Sequence, residues 1–359
     1  MRTNNRYLRF SLYLAFLFFL FEGSARLVFL IPQLSDKLWV NDNLSWKRAW
    51  MKRHQSTGKE VFYSFDKYDP TKGWISKPNI RDAMVFKNKI LNTNSKGLRG
   101  YKEYSFSNDH NKLRILLLGD SFTFGDEVSD TETYAYYLQK SLPDAEIINM
   151  GVHGYGHDQM LIILKEEGIK YKPDIVILGF IPFDMDRNTL NFRDYAKPKF
   201  TLKDNKLVLT GSPIPSPEET IKWDWVRPRI IDIMSIFRHK YRTISGLYTQ
   251  ERNKISMAIL SEIIQTARNI NSIPLFTYLP VGREISEETS LTNGEKLFFS
   301  MCNRSNNVTC FSTRQEFAAR LAKGATFKEK GHWGPAGHLA VAGSIKRYLE
   351  NEGMIASQN

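Results

Sequence analysis

Short, largely apolar runs alternate with helical patterning along the last two thirds of the chain. Arg114 to Gly119 (RILLLG), Ala145 to Met150 (AEIINM) and Asp174 to Gly179 (DIVILG) are bounded by polar residues, the pattern of strands covered on both faces of a parallel sheet. Helical segments are expected at Thr131 to Ser141, at Asp158 to Tyr171 and at Glu251 to Ile270. In the last of these Ile255, Ile259, Ile263 and Ala267 recur every fourth position. Ile273 to Val281 and Val308 to Phe311 read as further strands, and Thr313 to Ala322 and Pro335 to Asn351 as closing helices. Alternation of this kind predicts βαβ units and a doubly wound α/β domain. No internal repeat is visible.

The flanking segments break this rhythm. Trp39 to Asp109 is aromatic and basic with weak periodicity, and its turn cluster Tyr68 to Trp74 predicts an irregular or β-rich lead-in. Asn188 to Tyr248 contains the stiff Gly211 to Pro217 stretch and then a basic amphipathic segment, Arg229 to Arg242, and reads as an insertion. The expected layout is a signal or anchor at 1–31, a lead-in at 32–110 packing on the main domain, and a main domain at 111–359 with the insertion at about 188–248.

The N-terminus sets the compartment. Three arginines and no acid precede twelve uncharged residues, Phe10 to Phe21, the signature of an export signal. Two forms stay open. One is a cleavable signal peptide with Gly23-Ser24-Ala25 as its processing site. The other is an uncleaved anchor running on to Ile31 through Glu22 and Arg26. A cytoplasmic amphipathic helix fits less well, because the stretch has no strongly polar face. Either form places the remainder outside the cytoplasm: periplasmic and membrane-anchored, or secreted if cleaved.

Composition narrows the partners. The 359 residues are 42 % hydrophobic and 25 % charged, which excludes disorder, collagen and a disulfide-dense miniprotein. A mean hydropathy of −0.38 excludes a polytopic membrane protein. Fifty Lys and Arg against 38 Asp and Glu give +12, a bias toward anionic partners. Outside the cytoplasm nucleic acid drops out, leaving glycans and the inner membrane. Cys302 and Cys310, seven residues apart in the gap between them, are either a small disulfide loop or two unrelated thiols; the spacing does not suit zinc.

In an open parallel sheet, ligands bind beyond the carboxyl ends of the strands. Three segments fall there: Gly119 to Gly125 (GDSFTFG), presenting Ser121 on a tight turn; Gly151 to Gly156 (GVHGYG), a glycine-rich loop with His153; and Phe180 to Asn188. A fourth element, Glu329 to Pro335, puts His332 before the last helix with a carboxylate three residues upstream. A serine hydroxyl needs a base to take its proton, and a histidine suits that role when an acceptor holds its second nitrogen. Ser121, His332 and Glu329 therefore form the candidate catalytic set. The Ser121 and Gly154 amides are the candidate donors to an oxyanion. Metal ligation by His153 and His157 lacks a third ligand, His338 reads as a structural helix residue, and no cofactor is expected.

These blocks, in this order, resemble those of the SGNH/GDSL hydrolase family over roughly residues 112 to 350. The resemblance implies a three-layer α/β/α, flavodoxin-like fold and ester hydrolysis or acyl transfer through an acyl-serine. The lead-in, with Lys72-Gly73-Trp74 and Asn94 to Gly100, is similar to that of membrane-tethered bacterial members related to polysaccharide O-acetyl transfer or hydrolysis. One departure stands out. Where the family presents an Asn that completes the oxyanion hole, followed by Asp, this chain has Phe183 and Asp184; Asn188 is the candidate substitute, and His153, Phe183 and Asp184 are candidate substrate contacts. The expected substrate is an acylated small molecule or cell-surface glycan. The competing expectation, resting on Phe183, is an impaired glycan-binding or assembly protein that kept the fold.

Overall fold

The computed structural model describes residues 2–40, 42–57, 64–108, 112–285, 290–304, 308–327 and 331–356. The chain divides into two compact units, one of residues 1–61, 190–196 and 215–251, the other of 62–189, 197–214 and 252–359.

The second unit opens with two antiparallel hairpins, β1 (Asp66–Asp69) with β2 (Gly73–Ser76), and β3 (Ala83–Val85) with β4 (Lys89–Leu91). Five strands then form one parallel sheet: β5 (Leu113–Leu118), β6 (Ala145–Asn149), β7 (Ile175–Phe180), β10 (Ile273–Tyr278) and β11 (Thr309–Ser312). A third hairpin, β8 (Lys199–Lys203) with β9 (Lys206–Thr210), lies between β7 and β10 in the chain.

The sheet order is β6-β5-β7-β10-β11. It is the flavodoxin-like winding, whose direction reverses between β5 and β7 and leaves a crevice at their carboxyl ends. Alternate residues of the apolar runs serve opposite faces. Ile115, Leu117, Ile147, Ile175, Ile177 and Leu275 pack in one cluster with residues of α5 (Tyr134–Ser141), α12 (Arg314–Ala322) and α13 (Pro335–Asn351). Leu116, Leu118, Ile148, Val176 and Leu178 are equally buried on the other side. There α6 (His157–Glu166) and α11 (Asn293–Arg304) stack His157 and Phe298 on Phe180, at 5.1 and 5.0 Å. Burial on both faces is what the unbroken hydrophobic runs require. Cys302 of α11 and Cys310 of β11 are joined in a disulfide.

Two short helices at strand ends, α4 (Ser121–Phe124) and α7 (Asp184–Arg187), complete the crevice. The segment expected as one helix to Tyr171 stops at Glu166 and finishes as a 3-10 turn, Gly168–Tyr171. An added Cβ at Gly168 would press on Leu164 and Leu116, at 3.0 and 3.3 Å, so the turn packs closely there.

The first unit is helical: α1 (Arg2–Leu30), α2 (Pro32–Ser35), α3 (Asn43–Thr57), α8 (Pro217–Val226) and α9 (Arg229–Ile244), with α10 (Leu247–Arg268) beginning there and continuing in the second unit. The lead-in thus contains a helix, α3, where irregular structure was expected. Its Trp50 is fully buried against Phe192 and Tyr195, at 5.6 and 5.5 Å. By length and composition Arg6–Leu30 suffices to cross a membrane. The two charges in its second half pair with each other, Arg26 Nε donating to Glu22 Oε1 at 2.7 Å.

Candidate active site

The turn after β5 is built from buried charge. Asp120 caps α4, its Oδ1 accepting from the Phe122 amide at 3.0 Å, and Gly125 ends the turn in the left-handed region at φ +94°. A Cβ on Gly119 would fall 1.9 Å from Thr123 Oγ1, so no other residue fits before the turn. The other Asp120 oxygen accepts from Arg187 Nη1 at 2.9 Å, and the same nitrogen donates to Tyr155 O and Asp184 Oδ1, at 2.7 and 2.6 Å. Ser121 sits at the first position of α4. Its amide belongs to the first turn, whose donors have no partner within the helix, and among the described residues it meets no acceptor.

His332 Nε2 lies 2.7 Å from Ser121 Oγ. The imidazole rests 4.7 Å from the Phe122 ring, which is also 4.7 Å from Trp333. Buried Trp333 donates to Pro280 O at 2.9 Å and so ties the His332 segment to the end of β10. Glu329 lies outside the described residues. Among those described, the carboxylate on His332 Nδ1 is Glu127, with Oε1 at 3.3 Å. Glu127 adopts φ +65°, costly for a side chain with a Cβ. Arg99 holds its loop there. The guanidinium donates to the carbonyls of Phe124, Gly125 and Val128 and to Asp130 Oδ1, at 3.1, 2.5, 2.6 and 2.9 Å. The neighbouring Asp126 bonds His153 Nδ1 and has Oδ2 3.9 Å from His332 Nε2. Glu127, Asp126 and Arg99 were not among the residues expected from sequence.

The glycine-rich loop is locked to the nucleophile turn. Asn149 Nδ2 donates to Thr123 O at 2.8 Å and its Oδ1 accepts from the Gly151 amide at 2.9 Å. A Cβ on Gly151 would lie 2.4 Å from the Phe124 nitrogen. From the first hairpin, Trp74 Nε1 donates to His153 O at 2.8 Å, and Tyr155 donates to Trp74 O at 2.7 Å. Gly154 takes φ +75°, and among the described residues its amide meets no acceptor.

The turn after β7 holds three more of the residues expected from sequence. Asn188, the expected oxyanion donor, is fully buried and its carboxamide is engaged at both ends. Nδ2 donates to Ser256 Oγ at 2.9 Å and lies 3.2 Å from His157 Nδ1, while Oδ1 accepts from the Asp158 amide at 3.2 Å. Asp184 is fully buried on Arg187 and leaves no surface for a substrate. Phe183 is exposed at the rim, its ring 5.0 Å beneath the Arg187 guanidinium and 6.4 Å from Phe122. His153 is half-buried and engaged by Asp126.

Two other histidines are neutral. Burial, aided by Arg187, lowers His157 to about 3. Burial, aided by Arg99 and His332, does the same for His338, whose Nδ1 accepts from the Tyr134 amide at 3.2 Å.

No family model matches the chain, and no curated protein does. Solved structures do. An acetyl xylan esterase, AlAXEase, is 14 % identical over 66 % of this chain and 100 % of its own, with a TM-score of 0.40. An acetyl-xylooligosaccharide esterase from Geobacillus Stearmophilus is 15 % identical over 66 % of this chain and 93 % of its own, at 0.38. A GDSL-like lipase from Bacteroides thetaiotaomicron VPI-5482 is 12 % identical over 67 % and 88 %, at 0.36. At these identities and scores the function must be read from the site itself.

Proposed function

We propose that this chain is an SGNH/GDSL-type serine enzyme that hydrolyses or transfers acyl esters, working outside the cytoplasm on a cell-envelope glycan or a small acylated molecule. The observation that carries the reading is the 2.7 Å contact of Ser121 Oγ with His332 Nε2, on an imidazole whose other nitrogen faces a carboxylate. In this mechanism His332 takes the Oγ proton as Oγ attacks the ester carbonyl carbon. Glu127 accepts from Nδ1–H and so holds the tautomer that leaves Nε2 basic. The tetrahedral oxyanion meets the Ser121 and Gly154 amides. Its collapse expels the alcohol, which takes the proton from His332 and leaves an acyl-Ser121. Water or a sugar hydroxyl then attacks, giving its proton to His332, and release of the acid or the new ester restores Ser121. With Phe183 at the rim and Asn188 buried, the hole has two amide donors; loss of one donor costs about 3–4 kcal/mol in related chemistry.

The apolar α1 and the Cys302–Cys310 disulfide support the extracytoplasmic placement. The reading is tested by turnover of an activated acetyl ester by the full chain and by Ser121→Ala. Hydrolysis lost in the variant supports it. A wild type without turnover that still gives a glycan-binding isotherm would establish the non-catalytic reading.

A further inference from the structure

Helix α9 carries two apolar faces, and among the described residues only one of them is covered. Ile236 packs with Val40 and Leu44 of the first unit, and Asp232 beside it is buried. Ile230, Met234, Phe237, Tyr241 and Ile244 follow a spacing of four, three, four and three, so they form one continuous row on another side of the helix. Met234, Phe237 and Tyr241 are each 66 % exposed and Ile244 is 87 % exposed. Arg238, Lys240 and Arg242 flank this row. The preceding α8 exposes Trp223, Trp225 and Val226 to a similar degree. A patch of this kind on a soluble surface marks something that covers it.

The cover is indicated by what α9 begins on. The Ile230 amide donates to Glu22 Oε2 at 3.1 Å, which seats the first turn of α9 on α1. The apolar row therefore starts at a helix that itself displays Phe10, Leu12, Tyr13, Phe16, Phe19 and Phe21 to its surroundings. Indole rings, a bulky apolar stripe and long basic side chains along its borders are the composition of a helix in a lipid interface, where the rings sit at headgroup level and the cations meet lipid phosphates.

We propose that the exposed face of α8 and α9 is a second membrane contact, inserted into the interfacial layer of a bilayer containing anionic phospholipid. The proposal rests on the reading of α1 as a retained membrane segment. It makes attachment of the first unit two-point, a span plus an interfacial helix.

Full-length protein is reconstituted into vesicles of phosphatidylethanolamine and phosphatidylglycerol. An environment-sensitive fluorophore is placed on one introduced thiol at a time, since both native cysteines are in the disulfide. The positions are Phe237→Cys and Ile244→Cys on the row, Ser235→Cys on roughly the opposite side of α9, and Phe16→Cys in α1. The labels at 237 and 244 are expected to shift to the blue and to be quenched severalfold more by lipid spin-labelled near the headgroup than by aqueous iodide. The label at 235 should behave the other way. Iodide quenching at 237 and 244 equal to that at 235 would overturn the proposal, and so would shielding from both quenchers, which would mean that protein covers the face. A label at 16 that deep-labelled lipid fails to quench would overturn the α1 reading instead. Ile244 lies in the last turn and is the most exposed of the row, so Ile244→Cys keeps the test valid if Phe237→Cys folds poorly.

Discussion

Two turns leave the sheet on either side of its winding reversal, and they use their polar residues in opposite ways. After β5 the chain puts one hydroxyl forward and buries the charge that holds it: Ser121 faces His332, while Asp120 stays beneath, on Arg187. After β7 nearly all polar groups are turned inward. Asp184, Arg187 and Asn188 are buried, and what reaches the rim is the Phe183 ring. Ser121 is thus presented by a turn whose rigidity is supplied by its neighbour. The lesson is that a polar residue at a strand end can serve the site by bracing it, without touching substrate.

The largest effect is expected on the presented side. His332→Ala removes the base, and kcat on an activated acetyl ester should fall by a factor on the order of 10⁴ to 10⁶ while the melting temperature hardly moves. Arg187→Met attacks the bracing side. It leaves Asp120 and Asp184 as uncompensated buried carboxylates and should lower the unfolding free energy by about 3–5 kcal/mol in urea titrations. Glu127→Gln tests what orients the base. It should cut kcat/KM by about 10²- to 10⁴-fold by weakening control of the His332 tautomer. If Glu329→Gln has that effect and Glu127→Gln has none, the carboxylate three residues upstream is the partner.

Asn188→Ala separates the two turns directly. A hole donor would be seen in kcat, whereas the buried carboxamide predicts a loss of about 1–3 kcal/mol in stability with kcat/KM on small esters nearly unchanged. A further effect is in acid. The folded values of His157 and His338, about 3, lie below the roughly 6.5 of the unfolded chain. Stability should therefore be flat above pH ~6.5 and fall as pH drops toward 3, by up to about 1.4 kcal/mol per unit for each histidine. His338→Asn should flatten that slope in thermal melts across the pH series.

The apolar runs made the sheet legible, because residues such as Leu116 and Leu117 are buried on opposite faces and no polar alternation can be tolerated there. Ser121 and His332 were legible for a related reason: both sit at the ends of strongly patterned elements, where a turn has one place to go. Glu127 was not legible. It stands 205 positions from His332 in the chain, and its approach depends on Arg99 pinning a loop with an unfavourable φ, which no periodicity records. For Asn188, residue type names a donor but not what it donates to; Ser256, on a helix much later in the chain, accepts that hydrogen bond. Within the insertion α9 was visible from its amphipathic pattern, yet the burial of Ile236 and the exposure of Phe237 could be told apart only with the structure.

The proposed nucleophile is Ser121, activated by His332. Its most direct test is intact-mass and peptide-level spectrometry of the full chain after exposure to a fluorophosphonate, beside Ser121→Ala. A single phosphonyl adduct is expected, mapping to Ser121, forming at a rate that falls as His332 is removed, and absent in the alanine variant. No adduct on folded wild-type protein, or an adduct that persists in Ser121→Ala, would contradict it.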